Sequence, residues 1–318
     1  MPRPGIPLLK LAASLLLVSW VAWTLDFNAL ARVLGGIDAK GLLLAVLLLV
    51  AQSFVIGWRW RRIVMHLGGR MRGIDALRWV LIGQFFNGAL PTSVGGDALR
   101  IWLLRRSGAS TELAVQSVLI ERVSGLVVLG LIVSSCVPAV WSAAASSPAT
   151  TIGLALAGPT LALAVVGVVL VGRIGSVLLP PRAAAALQTV IDSMRRCVHR
   201  PRFVAEVAGM ACLSSLTGFA AGHVLAQALG ISTNFPATAA LLGGAMILSL
   251  APVSLGGWGV REVGMVTLFG SIGVPAEPAL ALSLLWGVLP LLIALPAFLL
   301  WRRAGSDTPD TSTEGPHP

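Results

Sequence analysis

Apolar runs of crossing length punctuate the chain at 7–25, 41–58, 123–141, 151–171, 204–228 and 279–300. A helix needs about 20 such residues to traverse the hydrocarbon core of a bilayer. Two further apolar stretches, 76–106 and 237–274, are broken in the middle. The break takes the same form twice: Pro91-Thr92-Ser93-Val94-Gly95-Gly96-Asp97-Ala98-Leu99-Arg100 and Pro252-Val253-Ser254-Leu255-Gly256-Gly257-Trp258-Gly259-Val260-Arg261. Proline, paired glycines and an arginine are what the middle of a membrane helix least tolerates. A duplicated interruption of this kind points to a binding site near the bilayer midplane.

The polar segments between the runs predict orientation, because cytoplasmic loops carry the excess of Lys and Arg. Segment 58–72 holds Arg59, Arg61, Arg62, Arg70 and Arg72, and segment 172–203 holds Arg173, Arg182, Arg195, Arg196, Arg200 and Arg202. Both are predicted inside, as is the tail that starts with Arg302 and Arg303. Segments 142–150 and 229–236 carry no charge and are predicted outside. Segment 26–40, where Asp26 and Asp38 balance Arg32 and Lys40, goes outside by parity. An uncleaved first span closes this alternation better than a removed signal peptide, although Arg3, Lys10 and Ala29-Leu30-Ala31 faintly resemble one. Both termini are then cytoplasmic.

With these faces assigned, stretch 76–106 enters from the cytoplasm, turns at Pro91–Asp97 and returns. Stretch 237–274 enters from outside, turns at Pro252–Trp258 and returns. Irregular backbone at that depth must be buried in protein or line a polar cavity, since lipid offers its N–H and C=O groups no partner. The expected fold is an all-α polytopic membrane protein. It has about six full transmembrane helices plus two inverted re-entrant helical hairpins, an internal inverted pseudo-repeat. Residues 1–303 form one domain, and the polar tail 304–318 is expected to be disordered.

Composition agrees with the pattern. Of 318 residues, 56% are hydrophobic and only 11% charged, against about 25% charged in soluble domains. Net charge is +10. Because it sits in the loops, without an aromatic-interleaved basic face, it reads as membrane topology and attraction to anionic lipid rather than as nucleic-acid binding. Cys136, Cys197 and Cys212 imply no disulfide framework. No metal, cofactor or catalytic constellation is expected. His66, His199, His223 and His317 lack zinc-ligand spacing, and Gly95-Gly96 lacks the Gly-Lys-Ser/Thr of a P-loop.

The candidate chemistry lies in the two breaks. Pro91 and Pro252 end the incoming half-helices. Gly95-Gly96 and Gly256-Gly257 permit close backbone approach. Ser93 and Ser254 can cap the outgoing half-helices, expected to start near Asp97 and Trp258, whose free N–H groups favour an anion such as phosphate. Arg100 and Arg261 fall one turn further on. Arg261 is predicted deep in the membrane and needs a partner, either Glu262 or Asp97. Glu121-Arg122, at the start of run 123–141, reads as a lid over the first hairpin or as a cytoplasmic anchor. Gln84 and Asn87 share a helix face and either line the cavity or bond across helices. His223 and Gln227 read as an interhelical hydrogen-bonding pair. Trp58, Arg59, Trp60, Arg61 and Arg62 read as an interfacial belt. The plainer alternative makes the Pro-Gly turns packing devices and Arg261–Glu262 a structural ion pair.

Phe86–Asp97, Arg100, Leu103-Leu104-Arg105-Arg106, Glu121-Arg122 and Pro252–Glu262 together resemble the best-marked stretches of the transmembrane-region family named after lysylphosphatidylglycerol synthase, also called flippase-like membrane proteins. The likeness spans roughly residues 7–303. It implies a helical bundle that moves lipid across the bacterial inner membrane. It does not fix the cargo, since family members are linked to aminoacylated phospholipid, hopanoids and polyprenyl-linked sugars. No cytosolic aminoacyl-transferase domain follows before Pro318, so synthesis of lysylphosphatidylglycerol is not expected. The expected function is translocation of a lipid with a phosphate or polar headgroup. The alternative is a non-catalytic accessory subunit, with a lipid-synthesis enzyme or glycosyltransferase as partner. A small-solute transporter fits less well, because polar groups are few.

Overall fold

A computed structural model describes residues 27–89, 95–141, 200–250 and 258–306. The described residues form α1 (Phe27–Gly35), α2 (Ala39–His66), α3 (Gly73–Ala89), α4 (Gly95–Arg106), α5 (Thr111–Cys136, extended by a 3-10 turn to Val140), α6 (Pro201–Ala228), α7 (Phe235–Ser249), α8 (Val260–Gly270) and α9 (Ala276–Ser306). The predicted runs 7–25 and 151–171 lie outside the described residues, as does 307–318 of the tail predicted at 304–318, whose residues 304–306 continue α9.

Among the described residues, four helices are long and apolar enough to cross a membrane: Ala39–His66, Thr111–Val140, Pro201–Ala228 and Ala276–Trp301. At 1.5 Å per residue the shortest reaches about 39 Å, more than the ~30 Å hydrocarbon core. Side-chain caps mark several starts. Asp38 accepts from the N–H groups of Lys40 and Gly41, Ser110 from Leu113 and Asn234 from Ala237. Large apolar side chains such as Leu43, Leu47, Phe54, Leu131, Leu292 and Leu300 remain exposed, as a lipid-facing surface requires.

Apart from α1, the other described helices come in two short pairs. α3 and α4 have 17 and 12 residues, and α7 and α8 have 15 and 11. None exceeds about 26 Å. Each pair packs together, with Gly83 of α3 against Gly96 of α4 and Gly264 of α8 against Ala245 of α7.

The long pair α2/α6 supplies a frame for orientation. It is antiparallel: Asp38 N–H donates to the Ala228 carbonyl at one end (3.0 Å), and Arg62 donates to Glu206 at the other (2.9 Å). The α3/α4 pair opens at the Arg62 end, where Gly69, Asp75 and Ser107 line one cleft. The α7/α8 pair follows Ala228 and starts at the opposite end. The pairs therefore enter the bundle from opposite ends, and one contact links the end of α3 to the start of α8. The indole N–H of Trp258, just before α8, donates to the Gly88 carbonyl near the end of α3 (3.4 Å).

Among the described residues two main cores fill the bundle, with a small third cluster of Ile63, Ile120, Phe203 and Val207 between α2, α5 and α6. The larger joins α2, α5, α6, α7, α8 and α9 through side chains such as Phe219, Leu242, Met265 and Phe269. The smaller gathers Trp60, Val64, Val80, Leu104 and Val118 between α2, α3, α4 and α5.

Two arginine clusters at the candidate functional site

The first cluster lies beside the smaller core. Glu121, on α5, takes a cation on each carboxylate oxygen. Arg59 Nη2 of α2 donates to Oε1 (2.6 Å) and Arg100 Nη1 of α4 donates to Oε2 (2.9 Å). All three side chains are buried, at 4–6% exposure. Two cations around one anion leave a net positive charge inside an apolar bundle. Arg59 Nε and Nη1 and Arg100 Nε and Nη2 have no hydrogen-bond partner among the described residues. Each unmade bond of this kind costs about 1–3 kcal/mol.

Packing holds the guanidinium groups in place. The Arg100 guanidinium stacks 4.2 Å from the Trp60 ring centroid, and Trp60 is fixed by its own N–H bond to Ser117 Oγ (3.1 Å). On the α3 side, a Cβ on Gly83 would come within 2.8 Å of Arg100 Cδ, so glycine makes room for the arginine stem. Stacking covers a guanidinium face but leaves its in-plane N–H edges free.

At the more exposed edge, Arg122 grips Asp97 with both arms of its fork (2.7 and 2.6 Å). Asp97 also lies 3.7 Å from Arg100 Nη1, which links this pair to the buried one. Asn87 Oδ1 accepts from Gly96 N–H at the start of α4 (2.8 Å).

The second cluster belongs to α8 and α9. Arg261 donates through Nη2 to Glu262 Oε1 (2.6 Å) and through Nε to Ser283 Oγ (3.2 Å). Its guanidinium stacks 4.5 Å from the Trp258 ring centroid and packs on Gly287. Glu262 turns its other oxygen to the Gly259 N–H and caps α8. Gly259 takes φ 88°, a left-handed conformation that favours glycine. Each motif arginine is thus held between a tryptophan and a glycine and tied to a glutamate.

The structure gathers Asn87, Gly95, Gly96, Asp97, Arg100, Glu121 and Arg122 in one place and Arg261 with Glu262 in another. Pro91, Ser93, Pro252, Ser254, Gly256 and Gly257 lie outside the described residues. Asp97 partners Arg122, not Arg261. Glu121-Arg122 sits three turns into α5, not at its start, because the helix begins at Thr111. The N–H groups at the half-helix starts are partly used by protein, Gly96 by Asn87 and Gly259 by Glu262. The Trp58–Arg62 belt is not a loop edge: α2 continues to His66 and carries Arg59 and Trp60 inside, both under 5% exposed. The sequence contained a signal for this. Ala45, Leu49, Ser53, Gly57, Trp60 and Val64 form one buried stripe at helical spacing straight through the arginine-rich segment. Gln84 and Asn87 both bond across helices, Gln84 to Ser53 (3.2 Å). His223 bonds Thr238 of α7 (3.0 Å), while Gln227 turns to the Thr233 carbonyl (2.8 Å).

Apolar helices of crossing length, with their charges paired inside the bundle, define a multi-pass all-α membrane protein. The family described as Lysylphosphatidylglycerol synthase TM region matches residues 8–297, and the chain belongs to it. A search of curated proteins finds no match.

Proposed function

We propose that this protein carries a lipid with a polar or anionic headgroup from one leaflet to the other, in the bacterial inner membrane and with both termini in the cytoplasm. The observation that carries this reading is the contact between Trp258 and Gly88. It joins the inner ends of two oppositely entering short helix pairs, a few residues from a buried, net-positive cluster. Broken helices whose ends meet inside a bundle create a polar site that neither face owns. Buried charge in an apolar bundle needs a functional return, because it destabilises the fold. A headgroup held there keeps its acyl chains in lipid, and rocking of one helix pair against the other exposes it alternately to the two faces. In this reading the chain moves lipid and does not transform it.

Reconstituted liposomes test this directly. The purified full chain is expected to make headgroup-labelled phospholipid in the inner leaflet accessible to a membrane-impermeant quencher, with the lipid recovered chemically unchanged. Folded protein that moves no lipid, or that moves it only when a synthase is added, would overturn the reading in favour of an accessory role.

A further inference from the structure

The two arginine clusters are alike in plan and unlike in saturation. Arg261 has its Nε and Nη2 committed to Glu262 and Ser283, one cation facing one carboxylate. Its glutamate is committed in turn to the Gly259 N–H. Charge closes within the cluster, and no buried Arg261 donor is left without a partner among the described residues. Arg59 and Arg100 share the Glu121 carboxylate, with Asp97, already gripped by Arg122, 3.7 Å from Arg100, and they leave buried in-plane donors on both guanidinium groups. The repeat has kept the tryptophan, the glycine and the glutamate around each motif arginine, but among the described residues only the first cluster adds a second buried arginine.

We propose that the Arg59–Glu121–Arg100 cluster is a receiving site for a phosphate-type oxyanion, and that its counterpart around Arg261 is a structural clamp. The inference deepens the translocation reading, on which it relies only for the source of the ligand. A phosphodiester oxyanion neutralises the surplus cation and accepts from several N–H groups at once, the geometry that guanidinium forks match best. Trp60 and Gly83 hold Arg100 in position before the ligand arrives. Glu121 then acts as a resident competitor. It occupies one arm of each arginine, so the incoming anion binds firmly enough to enter and loosely enough to leave. The preferred ligand is a headgroup attached through phosphate, not a neutral lipid.

Binding by the full chain in nanodiscs, read by calorimetry and by ligand-induced thermal shift, tests the assignment. The probes are dihexanoyl-phosphatidylglycerol, dihexanoyl-glycerol and inorganic phosphate. Phosphatidylglycerol is expected to bind and the neutral diacylglycerol not to. Binding of inorganic phosphate with equal affinity would keep the oxyanion site but assign it to a free anion. R59Q and R100Q are each expected to weaken binding at least about tenfold. R62Q, on the same helix but paired with Glu206 at the surface, is expected to leave it unchanged. Because an arginine variant can misfold, E121Q supplies the opposite sign: removing the competitor is expected to tighten phosphatidylglycerol binding. A purely structural triad predicts no gain. R261Q, or the milder S283A, is expected to lower the melting temperature while folded protein keeps its affinity. Equal binding of the neutral lipid, unchanged or weaker binding by E121Q, or a loss in R261Q matching that in R100Q would each overturn the proposal. Binding that obeys this pattern in a protein that moves no lipid would leave the site standing and remove the translocation reading alone.

Discussion

Trp258 donates its indole N–H to the carbonyl of Gly88, a residue 170 positions earlier in the chain. The same ring lies under the Arg261 guanidinium. One side chain therefore ties the inner end of α3 to the start of α8 and orients the second motif arginine. At 3.4 Å the hydrogen bond is long, so W258F is expected to reduce stability by no more than about 1 kcal/mol. W258A also removes the stacking surface and the packing, and is expected to cost about 3–5 kcal/mol. Melting of the purified variants in detergent separates the two.

Glu121 and Arg122 are adjacent but differ in environment. Glu121 is buried between two arginines, while the Arg122 side chain is 45% exposed. Removing one member of a buried ionic network leaves uncompensated charge, so E121A is expected to destabilise by about 3–5 kcal/mol. R122A, at a solvent-screened pair, is expected to change stability by about 1 kcal/mol or less. Equal effects in a thermal-stability assay would contradict the burial described for α5.

Arg261 and Glu262 form the closed cluster, and a double-mutant cycle reports their coupling. E262Q leaves Arg261 with a weaker partner and α8 without its ionised cap. The double variant R261M/E262Q is expected to be more stable than the sum of the single losses predicts, with a coupling of about 1–3 kcal/mol. Additive losses would mean that the pair does not interact.

Glycines at the first cluster differ in what a methyl group would meet. In G83A the new Cβ presses on the Arg100 stem, which can shift. In G96A it presses on the Gly83 backbone carbonyl, which cannot. G96A is therefore expected to give little folded protein by size exclusion. G83A is expected to fold and lose transport through a displaced Arg100. A well-folded G96A would show that α3 and α4 do not approach as described.

Opposite entry of the helix pairs predicts opposite labelling. In a background without the native cysteines, S107C at the open end of α3/α4 and G270C at the end of α8 are expected to react with impermeant thiol reagent from opposite sides of the membrane. Both positions are exposed. Labelling from the same side would overturn the inverted arrangement.

Hydrophobic run length placed four crossing helices to within a few residues at most of their ends, because lipid imposes the period and length of a span on the sequence itself. The structure departs most from run length where arginines interrupt an apolar run. Residues 59–62 looked like a boundary, yet the helix continues, since a charge can be placed inside when another helix supplies its counterion. Likewise Glu121 looked like the start of a span only because its charge ended the apolar run.

The chain alone determined that this is an all-α membrane protein with two matching helix breaks, and it pointed to Arg100, Glu121, Arg261 and Glu262. Those features are written in local composition and spacing. Only the tertiary structure decided who pairs with whom: Arg59 with Glu121, Asp97 with Arg122, Trp258 with Gly88. Electrostatic pairing depends on distance through space, and a partner 62 or 170 residues away leaves no mark on the local pattern. The same holds for the difference between the clusters, because whether an arginine's donors are all used is set by what the surrounding helices bring to it.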